Sequence, residues 1–270
     1  MTKIIVVTSG KGGVGKTTSS ASIAMGLAKI GYKTAVIDFD IGLRNLDLIM
    51  GCERRVVYDF IDVIRGNANL SQALIKDKRS TNLFILPASQ TKDKDSLNKV
   101  GIKKIFDELA KKNFRFIICD SPAGIELGFL MALYYADEAI IVTNPEISSV
   151  RDADRILGII ASKSYKSENN LNPIREHLLI NRYNANLVSK GDMMSTKDIM
   201  EILGIPIIGI IPEDKLVLKS SNIGKPVILQ KNSIAGKEYY NTVLRLLGRK
   251  IEFPFLKKKF GFFRRIFRRI

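Results

Sequence analysis

With 43 lysines and arginines against 27 aspartates and glutamates, the 270-residue chain carries a formal net charge of +16 and can bury a large core, in one α/β domain or two smaller ones. Its two cysteines, Cys52 and Cys119, have neither metal-ligand spacing nor a disulfide framework and suit a reducing cytoplasm. Even the most apolar runs, such as 205–211, fall far short of a bilayer span, and the first apolar run is only four residues long, which argues against an integral membrane protein and a secretory signal.

The first predicted strand, 4–8, leads directly into Gly10-Lys11-Gly12-Gly13-Val14-Gly15-Lys16-Thr17, a complete P-loop, and then into a helical segment over 17–30. Backbone N–H groups of such a strand-to-helix turn point inward as a nest for phosphate oxygens, and the helix N-terminus adds partial positive charge. Lys16 is placed to reach the β- and γ-phosphates of ATP, and the Thr17 hydroxyl to hold Mg²⁺. A second strand, 34–38, ends on Asp38 with Asp40 two residues on, where carboxylates beside phosphate orient water and Mg²⁺. Further strands are predicted over 83–86, 116–119, 139–143, 178–181 and 207–211, with helices over 103–112, 150–163 and 196–203. Asp120 closes the fourth of the predicted strands and reads as a carboxylate holding Mg²⁺ through water. His177, the only histidine, reads as a satisfied polar residue entering a strand.

This alternation of short β-branched runs with helices predicts a doubly wound α/β fold, with a mostly parallel sheet covered on both faces and ligands beyond the carboxyl ends of its strands. No linker composition or fixed-period repeat precedes residue 250, so 1–250 reads as one nucleotide-binding domain and 251–270 as a linker and tail.

No acidic residue follows Glu252, and residues 255–270 contain Lys257, Lys258, Lys259, Arg264, Arg265, Arg268 and Arg269. On a helix turning about 100° per residue, Phe262, Phe263, Ile266, Phe267 and Ile270 span roughly 140° and the four arginines take the other side. Such a helix is too charged to cross a bilayer and suited to lie in the interface of an anionic leaflet. Phosphates of nucleic acid do not call for a continuous aromatic stripe, and packing on a core would leave the arginines without a role.

The second P-loop lysine, Lys11, carries a resemblance. Lys-Gly-Gly-Val-Gly-Lys-Thr-Thr, unbroken from Lys11 to Thr18, is the signature of the deviant Walker A ATPases, the MinD/ParA family. The resemblance implies an ATP-sandwiched homodimer in which Lys11 reaches the partner's nucleotide and the residue matching Asp40 positions the attacking water. It also implies that the Pro-Ala-Gly after Asp120 and Ser121 is a second switch, and that Asn181, Arg182, Pro212 and Glu213 contact adenine. Gly-Phe-Phe-Arg-Arg-Ile-Phe at 261–267 is similar to the membrane-targeting sequence of the septum-site-determining branch of that family. In that branch ATP drives dimerisation and attachment to the cytoplasmic face of the inner membrane, the division inhibitor MinC is recruited, and MinE stimulates hydrolysis and release. A DNA-partition ATPase is the competing member of the family, but it has no need of an amphipathic tail. The iron-protein branch needs paired cysteines on loops, the metal-cluster carriers need a C-x-x-C, and a nonhydrolysing scaffold has no use for Asp40.

Avidity would link the two halves of this reading. Each basic side chain near an anionic surface gains about 1 kcal/mol, while ordering a tail costs roughly 1–2 kcal/mol per residue, so a single tail binds marginally. Two tails on one dimer raise attachment by about 10² to 10⁴.

Overall fold

A computed structural model describes residues 1–90 and 96–254. The aromatic-basic stripe, Phe262 to Ile270, therefore lies outside the described residues.

Among the described residues, eight strands form one sheet in the order β3-β4-β2-β5-β1-β6-β7-β8. They are β1 (Lys3–Thr8), β2 (Thr34–Asp38), β3 (Ile75–Lys76), β4 (Leu83–Leu86), β5 (Phe116–Asp120), β6 (Glu138–Thr143), β7 (Arg175–Tyr183) and β8 (Ile207–Pro212). All neighbouring strands run parallel except β3, a two-residue antiparallel edge whose brevity leaves no periodic signal in the sequence. The sheet is thus mostly parallel, as the alternation of segments predicts, with one strand more than expected.

Side chains alternate across each strand and supply two separate cores. Val6, Ile37, Ile117, Ile141 and Ile180 face one layer, and Val7, Val36, Ile118, Ile140 and Leu179 face the other. The first layer is closed by α3 (Phe60–Arg65), α5 (Lys99–Lys111), α6 (Leu127–Tyr134), α7 (Ile147–Ser162) and α10 (Thr196–Leu203). The second is closed by α1 (Lys16–Lys29), α2 (Leu46–Met50) and α12 (Ile234–Leu246). α1 is buried on almost every side, and its small residues allow that: a Cβ on Gly26 would come within 2.8 Å of Val243 on α12. The remaining short helices are α4 (Leu70–Ala73), α8 (Tyr165–Glu168), α9 (Ala185–Lys190) and α11 (Lys215–Asn222).

From β1 the chain crosses over α1 to β2 on one side, whereas from β5 it crosses over α6 to β6 on the other. This reversal of winding at β1 opens the crevice beyond the strand ends where doubly wound folds hold ligands.

Arg245 of α12 fastens the first residues expected to be linker. Its guanidinium donates to the carbonyls of Ile251 (2.9 Å), Glu252 (2.8 Å) and Ile208 (3.2 Å) and stacks 3.9 Å over the Phe253 ring. Residues 251–253 are thus fastened to α12 and the β8 edge. No helix among the described residues is long and apolar enough to cross a membrane.

Candidate nucleotide-binding site

The loop after β1 turns through two left-handed glycines, Gly13 (φ 74°) and Gly15 (φ 101°), and Gly15 caps α1. Beyond them opens a cavity of about 560 Å³. Gly12, Gly13, Gly15, Lys16, Thr17 and Thr18 form its floor. Asp40, Leu43 and Asn45 of the loop after β2 and Leu48 and Ile49 of α2 form one wall, with Pro122, Ala123 and Glu126 beside them. Arg182 and the end of α11, Ser221 and Asn222, close the far side.

Lys16 is the buried cation of this cavity, and its Nζ donates to Ser9 Oγ at 3.1 Å. Burial pushes its pKa down, while Asp120 and Asp40 pull it up. Asp38 and Asp120 lie side by side in the β2–β5 register, both almost fully buried. Burial pushes the Asp120 carboxyl up to about 6, against the Ser20 and Thr17 hydroxyls and Lys16, which favour its ionised form; Ser20 Oγ donates to it at 2.8 Å. Burial and then the charge of Asp120 push Asp38 well above the ordinary range. Such a site stabilises added positive charge.

No cluster of three or more His, Cys, Asp or Glu side chains that could hold a metal occurs among the described residues. Mg²⁺ does not require one, since it keeps several waters and takes phosphate oxygens with one or two protein groups. Asp120 and Thr17, in mutual contact at the floor, fit that partial ligand set.

Several expected site residues have a different immediate task. Asp38 clasps the loop after β2, its two oxygens accepting from the N–H groups of Asp40 (2.9 Å) and Leu46 (3.2 Å). Gly10 does not line the cavity: a Cβ there would lie 2.3 Å from the Asp152 carbonyl oxygen, so it is the point where the loop passes against α7. The Val14 side chain, 1% exposed, enters the core under α1. Lys11 turns away from its own cavity and pairs with Glu146 Oε2 (3.1 Å) and Ser148 Oγ (3.2 Å) at the start of α7, with 42% of its side chain exposed.

The four expected base contacts divide. Asn181 Nδ2 donates to the Val14 carbonyl at 2.6 Å, and Arg182, held at φ 54°, donates to the Gly13 carbonyl at 2.9 Å, so both brace the P-loop. Of the four, only Arg182 lines the cavity. Pro212 pairs with Tyr183, and Glu213 bonds Tyr183 and Asn184, so the two sit together at the β7–β8 ends and do not line the cavity. Ser221 and Asn222 line the cavity as well, and a serine and an asparagine at a helix end carry no motif by which sequence alone finds them. His177 bonds Glu138 at 3.0 Å and remains remote from the cavity, in keeping with a structural role. Cys119 is fully buried in β5, and neither cysteine is in a disulfide.

Comparison with known proteins agrees with this geometry. The model of the CobQ/CobB/MinD/ParA nucleotide binding domain matches residues 5–227. The chain is 66% identical over 268 residues to the septum site-determining protein MinD of Escherichia coli K12, with 99% of each chain covered. Its structure resembles the MinD of a MinC:MinD cell division complex from Aquifex aeolicus, with a TM-score of 0.83, 43% identity, and 93% and 98% of the two chains covered. It also resembles the MinD complexed with Mg-ADP from Pyrococcus horikoshii OT3, with a TM-score of 0.78, 28% identity, and 93% and 100% covered. A P-loop floor whose Thr17 bonds the buried Asp120, on a chain so similar to these proteins over its whole length, places it in the CobQ/CobB/MinD/ParA nucleotide-binding family, in the septum-site-determining MinD group.

Proposed function

We propose that this chain is an ATPase that binds ATP with Mg²⁺ in the P-loop cavity, dimerises around it, and uses the dimer to hold a division-site regulator on the membrane. The observation that carries the reading is the meeting of Lys16, Thr17 and Asp40 on one cavity at the winding reversal of the sheet, with Asp120 buried behind it, bonded to Thr17 and acting on Lys16. Lys16, already buried, leaves Ser9 for the β- and γ-phosphates and spreads their charge as the phosphoryl group departs. Thr17 and Asp120 would hold Mg²⁺, which would supply positive charge beside the phosphate oxygens. Asp40 accepts a hydrogen bond from the attacking water and orients it in line. Asp38, fixing the Asp40 and Leu46 backbone, holds this loop at the distance the water requires.

Lys11 serves the partner's nucleotide, a reading supported by its exposed position outside its own cavity, beside Glu146 and Ser148. Residues 251–270 serve as stem and anchor, two tails per dimer giving reversible attachment to anionic lipid on the cytoplasmic face of the inner membrane. The Aquifex complex supports MinC as a partner. MinE-stimulated hydrolysis, which releases the dimer, follows from membership of the MinD group. That whole-length identity favours this reading over a DNA-partition ATPase. Asp40→Ala tests it: the variant should bind Mg²⁺ and ATP, dimerise and stay on liposomes without turnover. Hydrolysis at the wild-type rate would remove Asp40 from the chemistry.

A further inference from the structure

Arg79 lies outside the cavity, in the loop between β3 and β4, yet its bonds converge on the two helices that form opposite cavity walls. The buried Asp77 carboxylate holds the guanidinium from one side, with Nη2–Oδ2 at 2.5 Å and Nε–Oδ1 at 3.1 Å. From there Nη2 donates to the Met50 carbonyl at 2.6 Å, at the end of α2, and Nη1 donates to the Gly224 carbonyl at 2.8 Å, just past α11. The chain leaves both helices through left-handed glycines, Gly51 (φ 61°) and Gly224 (φ 60°), that meet backbone to backbone. A Cβ on Gly51 would lie 2.5 Å from the Gly224 carbonyl oxygen, and one on Gly224 would lie 2.5 Å from Gly51 Cα. Only glycine permits this approach in this conformation. α2 brings Leu48 and Ile49 to the cavity and begins at Leu46, whose N–H reaches Asp38; α11 brings Ser221 and Asn222.

We propose that Arg79 is a positioning residue that locks the spacing of α2 and α11, so that a nucleotide contact on α11 is transmitted to α2 and through it to the loop bearing Asp40. This rests on reading the cavity as the nucleotide site. A planar guanidinium can serve Asp77 and two divergent carbonyls together, whereas an ammonium cannot reproduce that fork. α2 and α11 also pack directly against each other, and the glycine contact and this bracket fix the spacing of their C-terminal ends.

The test is whether the walls act as one unit toward ADP. Leu48→Ala and Asn222→Ala, singly and together, are measured by the affinity of Mg²⁺ and a fluorescent ADP analogue, in wild type and in Arg79→Lys. With Arg79 present, the double variant should differ from the product of the single fold-changes by about threefold or more. In Arg79→Lys the fold-changes should multiply. Since Arg79→Lys leaves Asp77 buried, Asp77→Asn with Arg79→Met removes both charges and should give the same loss of coupling in a protein of near wild-type Tm. Equal coupling with and without Arg79, in variants that fold, overturns the proposal while leaving the nucleotide site intact. Absence of ADP binding in the wild-type protein would overturn the site and with it the role of Arg79.

Discussion

Replacing Gly10 by alanine probes how tightly the P-loop is seated on α7. The added Cβ would stand 2.3 Å from the Asp152 carbonyl oxygen, 2.4 Å from its carbon and 2.6 Å from its Cβ, and the first two are backbone atoms of a helix that cannot rotate away. An ordinary contact needs about 3.4 Å, so the loop or α7 must move by roughly 1 Å. Overpacking of that kind costs about 1–3 kcal/mol. In a chain of this size each kcal/mol lowers Tm by roughly 2–4 °C, so a fall of about 2–12 °C is expected in thermal unfolding. Displacing the phosphate nest by that distance should also lower turnover by about 10²-fold. Gly12→Ala is the control for stability: its Cβ meets nothing within 4 Å, so its Tm should match wild type. A Gly10→Ala protein with unchanged Tm and turnover would refute the seating of the loop on α7.

Lys11→Ala breaks a half-exposed pair with Glu146, worth about 1 kcal/mol at most, and an exposed bond to Ser148, so folding and monomeric ADP binding should persist while ATP-dependent dimerisation, followed by light scattering, is lost. Burial opposes ionisation of Glu138, but bonds from His177 and Lys3 prevail and hold its pKa at about 2, below the ordinary 4.5. Its ionised contacts therefore stabilise the fold fully above pH 4.5 and progressively less as pH falls toward 2; the difference is worth about 3 kcal/mol. Glu138→Gln should lose most of that in urea unfolding at pH 7 and converge on wild type near pH 2, and a constant difference across pH would contradict the ion-pair origin. Phe263→Glu with Ile266→Glu should abolish liposome sedimentation while leaving the ATP dimer in solution, and undiminished sedimentation would exclude the aromatic stripe as the anchor.

The parts of the site legible in the sequence were those built from consecutive residues. The P-loop, the aspartates ending β2 and β5, and the parallel alternation all follow from short-range pattern, because a strand end in a doubly wound sheet is already an address in space. Residues that act across the fold left no such trace. Ser221 and Asn222 reach the cavity only because α11 packs beside α2, and Arg79 meets Gly224 across 145 positions of chain. Gly10 belongs to the motif but is spent on contact with α7, a constraint visible only once Asp152 lies beside it.

Sedimentation of the full-length protein with liposomes containing anionic lipid, in Mg²⁺ with ATP and separately with ADP, tests the central claim most directly. Nucleotide-gated pairing of two tails predicts that the protein pellets with ATP and remains largely in the supernatant with ADP, a contrast that Lys16→Gln should erase. Equal pelleting in the two nucleotides, or none in either, would contradict an ATP-driven membrane switch.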